Sequence, residues 1–256
     1  PKKDNGYIQF NYLCAASLTY FFLDMLKKKI QCKIDLTKYL VNVLLATVCD
    51  VMPLRKFNRL ISIIVLKEFD INDNYIFKRF YELINKKNKI NVNDLGYLIG
   101  PMLNAGGRLG KSNCATELLS TDNSNLIDKK SLELFNLNEK RKNIENTIWN
   151  NIDFRQLEKD NDDVIIYYDT NINEGLIGII ASRLKDYFNK PSIVITNSKD
   201  LLKGSARSTN NYNIGQVVKK VLDKKIILNG GGHNMAAGFT LNKKKLSSFK
   251  KFILND

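Results

Sequence analysis

Val164-Ile-Ile-Tyr-Tyr168 begins the part of the chain in which strand and helix patterns alternate, and this alternation decides the fold class. A helix pattern follows over Gly175 to Phe188, and a second short apolar run, Ser192-Ile-Val-Ile-Thr196, comes directly after Pro191. Short strands that alternate with helices are typical of an α/β domain. The remaining predicted elements are a strand over Lys203–Ser208, a helix over Ile214–Leu222, a strand over Ala237–Leu241 and a closing helix over Lys244–Ile253.

The first half of the chain is predicted to be helical. Residues 12–27 and 36–48 are apolar on nearly all sides, a pattern typical of helices packed between a sheet and other elements. The lead-in Pro1-Lys-Lys-Asp-Asn-Gly6 offers no strand, so we expect any sheet for these helices to lie partly upstream of Pro1. Further helices are predicted over Lys56–Phe69, Ile76–Ile84 and Ser112–Leu119, and a glycine-punctuated loop over Gly96–Gly110.

The middle of the chain predicts a connector. Apolar residues recur at helical spacing from Ser124 to about Leu157, which indicates one long helix between two lobes. We therefore expect a first domain over residues 1–123, a connector helix over 124–160 and an α/β domain over 161–256.

The composition favours a polyanionic partner. Forty Lys plus Arg residues against 26 Asp plus Glu give a formal charge of +14, which attracts molecules such as nucleic acid. A lysine bias of the whole genome would explain the surplus equally well, because only eight of the cations are arginines. Arginine is thus the more informative residue, since its planar guanidinium grips phosphate bidentately. Arg108 and Arg207 both stand among glycines and small residues.

The sequence also argues against several classes of protein. It contains no unbroken apolar run of about 18 residues, the length that a membrane span needs, and no signal peptide is evident. Its cysteines are scattered without a CxxC pair, so neither disulfides nor a zinc site are expected. We expect a cytoplasmic protein that has no membrane partner. The cysteines are Cys14, Cys32, Cys49 and Cys114.

The strongest candidate site is Asn229-Gly-Gly-Gly-His233-Asn-Met-Ala-Ala-Gly238. Its consecutive glycines, which include Gly231 and Gly232, free the backbone for close approach of a ligand. His233 is the only histidine of the chain and can donate to a phosphate or a base. A glycine-rich turn with one histidine is more often structural when it stands alone.

A second candidate site lies in the segment Lys203-Gly-Ser-Ala-Arg-Ser208. Strand alternation places Ser205 and Arg207 on one face, where a hydroxyl and a guanidinium would form a compact anion clamp. An edge strand with solvated polar residues is an equally open interpretation of this segment.

Two further segments can be interpreted either as ligand-binding or as purely structural. In Gly100-Pro-Met-Leu-Asn104-Ala-Gly-Gly-Arg108-Leu-Gly110, the Asn104 and Arg108 side chains can donate to a phosphodiester, or the segment forms only a tight loop and a helix start. Asp50 follows an apolar helix and precedes Pro53. It can be a helix-end residue, or one oxygen ligand for Mn²⁺ or Mg²⁺.

Together, five segments resemble the DHH/DHHA1 phosphoesterase superfamily and, within it, the RecJ-type exonucleases. They occur in the family's order and spacing and extend over nearly the whole chain. The resemblance implies the C-terminal part of a DHH domain over residues 1–123, a connector helix, and a DHHA1-type nucleic-acid-binding domain over 161–256. The segments are Thr47–Leu54 with Asn58-Arg59, Gly100–Gly110, Glu174–Leu184, Gly204–Ser208 and Gly230–Gly238.

The resemblance implies a metal-dependent hydrolase that removes nucleotides from the 5′ end of single-stranded DNA in repair and recombination. It implies Mn²⁺ or Mg²⁺ as cofactor, and it places the remaining ligands upstream of Pro1, because the family's Asp-rich and Asp-His-His motifs are absent from this sequence. The implied roles are a metal ligand and catalytic group at Asp50, a catalytic and phosphate-binding group at His233, and phosphate or strand binding at Asn104, Arg108, Ser205, Arg207, Gly231 and Gly232.

Two alternative functions stay open. One is a related DHH-type phosphoesterase that degrades short oligonucleotides or nucleotide second messengers. The other is a non-catalytic nucleic-acid-binding module that uses its basic surface alone. If the chain is instead part of an exonuclease, the 256 residues alone are expected to bind single-stranded DNA with a strong salt dependence and without appreciable Mn²⁺-dependent hydrolysis.

Overall fold

The computed structural model of the chain describes residues 10–160 and 162–255, so the predicted lead-in at Pro1–Gly6 lies outside the described residues. The chain forms two compact units. The first contains residues 1–106 and 112–138, and the second contains residues 107–111 and 139–256. The domain boundaries expected from the sequence, after residues 123 and 160, remain predictions.

The first unit is helical and has one apolar core. Side chains from several of its helices meet there, including Leu44, Ile61, Phe80, Met102 and Leu134. The helices expected from apolar spacing are confirmed, with ends that differ by a few residues. The elements are α1 (Ala15–Lys29), α2 (Leu40–Cys49), α3 (Lys56–Glu68), α4 (Tyr75–Leu83), a π-helical turn (Asp94–Ile99), α5 (Gly100–Arg108), α6 (Cys114–Leu119) and the first half of α7 (Ser124–Asn150), with single 3₁₀ turns at Thr37–Tyr39 and Ile71–Asp73.

The prediction of a loop over Gly96–Gly110 is wrong, because the π-helical turn and α5 occupy the segment as far as Arg108. A Cβ atom on Gly100 would lie 2.5 Å from the Sγ atom of Cys49, so this glycine lets α5 and α2 approach closely. Gly110, with a φ of +84°, forms the turn after the helix. Glycine costs about 1 kcal/mol in a helix, which is why the composition indicated a loop.

The second unit is an α/β domain built on one five-stranded sheet with the strand order β1-β2-β3-β5-β4. Neighbouring strands are antiparallel except β1 and β2, which are parallel. The α/β class expected from the sequence is confirmed. The elements are the second half of α7, α8 (Phe154–Asp160), β1 (Ile165–Tyr168), α9 (Ile177–Phe188), β2 (Ser192–Ser198), β3 (Leu201–Arg207), α10 (Ile214–Asp223), β4 (Asn229–His233), β5 (Ala236–Asn242), a 3₁₀ turn (Lys243–Lys245) and α11 (Leu246–Leu254).

Two expectations for this unit need correction. The glycine-rich turn at Gly230–Gly232 is part of strand β4, which pairs with β5 over its whole length. A Cβ atom on Gly232 would lie 2.3 Å from the carbonyl oxygen of Ala236, so close strand pairing requires the glycine. The connector helix ends at Asn150, and Asp153 starts α8 by accepting a hydrogen bond from the Gln156 backbone N–H at 3.0 Å.

Each face of the sheet packs against different helices. On the first face, Val194 joins Leu176, Ile180 and Leu184 of the α9 region in a core that also contains α7 and α8 side chains. On the second face, Ala206, Phe239 and their neighbours pack against α10 and α11. We call these the α9 face and the α10 face. Among the described residues, no helix has the length and apolar character needed to cross a bilayer.

Candidate nucleic-acid interface

Strand β3 places Ser205 and Arg207 on the α9 face, as the alternation of its residues predicts. Their neighbours Gly204 and Ala206 are buried on the α10 face. The Nη1 atom of Arg207 donates to the carbonyl oxygen of Ala206 at 2.9 Å and, more weakly, to the Ser205 Oγ atom at 3.4 Å. Burial lowers the pKa of Arg207. The guanidinium is thus partly removed from water, and no carboxylate is among these partners.

The N-terminal turn of α9 lies against this pair. Gly178 stands in that turn, and a Cβ atom there would lie 3.1 Å from the Arg207 Nη2 atom and 3.2 Å from the Ser205 Oγ atom. A helix N-terminus carries a partial positive charge and backbone N–H donors, which favour bound anions. A guanidinium, a hydroxyl and a helix N-terminus therefore occupy one small region of the second unit.

Arg108, the last residue of α5, belongs to the second unit and is held against the segment that leads into α9. Its Nη1 atom donates to the Gly175 carbonyl oxygen at 3.1 Å. A Cβ atom on Gly175 would lie 2.1 Å from the Arg108 carbonyl oxygen, so only glycine permits this approach. Burial and the charges of Arg141 and Arg207 lower the pKa of Arg108, whereas Glu145 acts in the opposite direction.

Three arginines of this region interact with one carboxylate, Glu145, and a fourth, Arg207, lies close enough to Arg108 to affect its pKa. The Nη1 atoms of Arg141 and Arg183 lie 3.4 Å and 3.1 Å from the oxygens of Glu145, and Arg183 also covers the Trp149 ring. The Nε atom of Arg141 is buried and has no hydrogen-bond partner among the described residues. A partly buried surplus of positive charge is unfavourable unless an anion compensates it. We call Arg108, Arg141, Arg183 and Arg207 the arginine cluster.

His233 lies in the same row of the sheet as Arg207. Arg207 on β3 and His233 on β4 both pair with Ala236 on β5, the strand between them. Two strand spacings separate their backbones, which is about 10 Å. The next row on the same face consists of Ser205, Gly238 and Gly231.

Between Ser205 and the β4 edge, the α9 face therefore carries almost no side chains. Gly231 and Gly238 are exposed, and a Cβ atom on Gly231 would meet nothing within 4 Å. We call Gly231, Ala236 and Gly238 the glycine platform. A flat group such as a sugar or base can approach this backbone closely. His233 is exposed at its edge, beside a shallow cavity lined by Asn213, Gly215, Gln216, Lys219, Gly232, Asn234 and Met235.

Comparisons with known proteins agree on one family. Residues 161–255 match the DHHA1 domain. The chain is 31% identical over 230 residues to the single-stranded-DNA-specific exonuclease RecJ of Haemophilus influenzae, and this alignment covers 84% of the chain. It is 32% identical over 229 residues, or 85% of the chain, to RecJ of Escherichia coli. The chain is a homologue of part of the RecJ-type DHH/DHHA1 proteins.

The RecJ-type assignment covers the fold as well as the sequence. RecJ from Thermus thermophilus, solved in complex with Mg²⁺, superimposes with a TM-score of 0.76 over 90% of this chain and 36% of that chain, at 24% identity. The exonuclease RecJ bound to manganese superimposes with a TM-score of 0.73 over 92% of this chain and 58% of that one. The chain spans 39% of the length of the Haemophilus and Escherichia relatives.

Two predicted site residues of this RecJ-type chain lie in the first unit. Asp50 is exposed and ends α2, with its backbone N–H bonded to the Ala46 carbonyl oxygen at 2.9 Å. Asn104 is exposed on α5. The structure therefore brings together Arg108, Ser205 and Arg207 within the second unit and places His233 in the same row of its sheet. The roles assigned to all of these residues remain predictions.

Four residues of this region had no predicted role: Arg141, Glu145, Arg183 and Gly178. Arg141 stands between Lys140 and Lys142, and nothing in the local sequence distinguishes it from its charged neighbours. One signal was available, because arginine is scarce in this lysine-rich RecJ-type chain and four of its eight arginines form the cluster. The contact of Gly178 with β3 left no local signal, since the two segments are far apart in sequence.

Proposed function

We propose that this chain is the strand-holding part of a metal-dependent exonuclease that degrades single-stranded DNA from its 5′ end. The observation that carries the proposal is the pair Ser205 and Arg207, which lies against the N-terminal turn of α9 and close to Arg108. The names of the RecJ relatives, which are single-stranded-DNA-specific exonucleases, support the type of reaction and substrate.

Ser205 and Arg207 bind one phosphate in this proposal. The hydroxyl donates one hydrogen bond, the guanidinium donates two, and the dipole of α9 adds positive potential. Arg108 and Arg141 attract the neighbouring phosphates, because the contacts described for them include one carboxylate, Glu145, against two guanidinium charges. This surplus also explains why arginine rather than lysine occupies these positions, since a guanidinium keeps its charge when it is partly buried.

The glycine platform receives the sugar or base next to the bound phosphate. Its exposed backbone allows close approach, and His233 at its edge can donate to the strand or stabilise developing negative charge. Contacts with phosphate and backbone position a strand without reading its sequence. The proposed interface therefore predicts binding that is selective for single strands and tolerant of sequence.

The described residues do not form a metal site of their own. They contain no group of three or more His, Cys, Asp or Glu side chains that could hold an ion. We propose Mn²⁺ or Mg²⁺ as the cofactor of the exonuclease and Asp50 as one oxygen ligand. The ion would polarise the phosphate and activate a water molecule. This chain's own share of the reaction is to bind and orient the strand.

Replacing Arg207 tests the proposed function. Arg207→Gln should weaken binding of an oligothymidylate about tenfold or more, because a charged hydrogen bond to phosphate is worth ~1.5–3 kcal/mol. Lys203→Gln is the matched control, since Lys203 lies on the same strand and face but already pairs with Glu174 at 2.9 Å. It should change affinity by less than about threefold. Fluorescence anisotropy titration at fixed salt measures both.

Three results would contradict this account. Equal losses in the two variants would indicate a basic surface without a specific clamp. Equal affinity for a dinucleotide and a long strand would favour the phosphoesterase of short substrates. Robust Mn²⁺-dependent hydrolysis by the 256-residue chain that disappears on Asp50→Ala would show that this chain contains a complete catalytic site.

A further inference from the structure

Positive charge is distributed very unevenly within the second unit. Residues 139–208 contain eleven Lys or Arg and eleven Asp or Glu, so this segment is balanced. Residues 209–255 contain nine lysines and a single acidic residue, Asp223. A lysine bias of the whole genome would raise the lysine content of both segments and would not remove acidic residues from one of them. Within residues 139–255, the surplus is therefore a local property of the C-terminal segment.

The structure collects these nine lysines on one side of the molecule's second unit. They lie on α10, on the residues that follow it, on the 3₁₀ turn Lys243–Lys245 and on α11. These elements pack against the α10 face of the sheet, opposite the face of Ser205 and Arg207. We call this set the lysine face: Lys219, Lys220, Lys224, Lys225, Lys243, Lys244, Lys245, Lys250 and Lys251.

Within the described part of the chain, the lysine face also lacks an exposed aromatic platform. The exposed large apolar side chains among the described residues 209–255 are Leu228, Met235 and Leu254, none of them aromatic. The Nζ atom of Lys224 stands 5.0 Å from the centroid of the Phe252 ring and covers it. Proteins that hold single strands combine positive charge with aromatic stacking of unpaired bases. The lysine face consists of helices and a 3₁₀ turn, without the bare strand backbone that the glycine platform offers to an unpaired nucleotide on the α9 face. Its charge therefore fits a nucleic acid whose bases are already paired.

We propose that the lysine face binds the phosphate backbone of duplex DNA, separately from the single strand held on the α9 face. This proposal rests on the proposed function for its choice of nucleic acid as the partner. Lysine ammonium groups act as point charges toward phosphate, so the binding is independent of sequence. The second unit then holds paired DNA on one side and unpaired DNA on the other.

Two runs of three lysines make a matched test possible. The test variant carries Lys243→Gln, Lys244→Gln and Lys245→Gln, and the control carries Lys27→Gln, Lys28→Gln and Lys29→Gln at the end of α1 in the first unit. Both lose the same charge. The probes are a short blunt duplex and an oligothymidylate, titrated with the whole chain at several salt concentrations. Circular dichroism confirms that both variants are folded.

The test variant should bind the duplex more weakly, and its slope of log affinity against log salt should fall by about 2–3, roughly one for each phosphate contact. Its slope for oligothymidylate should not change. The control should behave like the wild type with both probes. Equal loss of duplex binding in both variants, or no loss in the test variant, would overturn the proposal.

Two further outcomes separate this proposal from the proposed function. In the first outcome, the Lys243–Lys245 variant loses duplex binding but single-strand binding does not depend on Arg207. This result would support duplex binding by the lysine face and contradict the proposed binding of phosphate by Ser205 and Arg207. The second outcome concerns membranes. If the chain binds phosphatidylserine vesicles through Lys243–Lys245 and shows no measurable binding of the duplex, an anionic membrane is the partner and the proposal is overturned.

Discussion

The Arg207 guanidinium is held between strand β3 and the N-terminal turn of α9, and Gly178 determines how much space is left beside it. A Cβ atom on Gly178 would lie 3.1 Å from the Nη2 atom, so the glycine leaves space beside the guanidinium that another residue would fill. The same guanidinium is fixed on its other side by the Ala206 carbonyl oxygen at 2.9 Å. A guanidinium held in this way loses less conformational entropy when it binds phosphate. Gly178 therefore preserves both the position of Arg207 and the access of a phosphate to it.

Gly178→Ala should separate binding from stability. The added methyl group would lie 3.1 Å from the Arg207 Nη2 atom, so the flexible guanidinium must move aside by a few tenths of an ångström. Affinity for oligothymidylate should then fall about tenfold, because the phosphate loses a well-placed charged hydrogen bond. Alanine has the better helix propensity, so the melting temperature should stay the same or rise. Anisotropy titration and thermal denaturation measure the two effects. A large fall in melting temperature, or unchanged affinity, would contradict the contact described.

At the scale of elements, the regular patterns were predictable and the glycine-rich segments were not. Alternation in Lys203–Ser208 predicted a strand with Ser205 and Arg207 on one face, and the register of β3 confirms it. Gly100–Gly110 and Gly230–Gly232 were assigned as loop and turn, because glycine is disfavoured in helices and strands. Their glycines instead allow α5 to pack closely on α2 and β4 to pair closely with β5. Local propensity cannot predict such tertiary contacts.

Two glycines of α5 should respond in opposite ways to the same substitution. In Gly100→Ala the new Cβ atom would lie 2.5 Å from the Cys49 Sγ atom, and the free energy of unfolding should fall by about 1–3 kcal/mol. In Gly107→Ala the Cβ atom meets nothing within 4 Å, and the protein should gain up to about 1 kcal/mol. Urea denaturation of both variants measures the difference. Equal effects would show that α5 does not need a close approach at Gly100.

At the scale of the whole molecule, the sequence predicted an α/β class and a preference for polyanions, and the structure adds where charge accumulates in the second unit. The cluster of four arginines depends on contacts between residues more than thirty positions apart, such as Arg108 with Gly175 and Arg183 with Glu145. Such contacts leave no periodic signal in the sequence. The sequence singled out Arg108 and Arg207 but not Arg141, which stands between two lysines and has no local feature that distinguishes it.

The central claim is that Arg108 and Arg207 act on the same bound strand, and a double-mutant cycle tests it most directly. Affinity for a 5′-phosphorylated oligothymidylate is measured for the wild type, Arg108→Gln, Arg207→Gln and the double variant. If both guanidiniums face one strand, their effects should be coupled by at least about 0.5 kcal/mol. Effects that add to within about 0.3 kcal/mol would contradict the claim, because independent sites behave in that way.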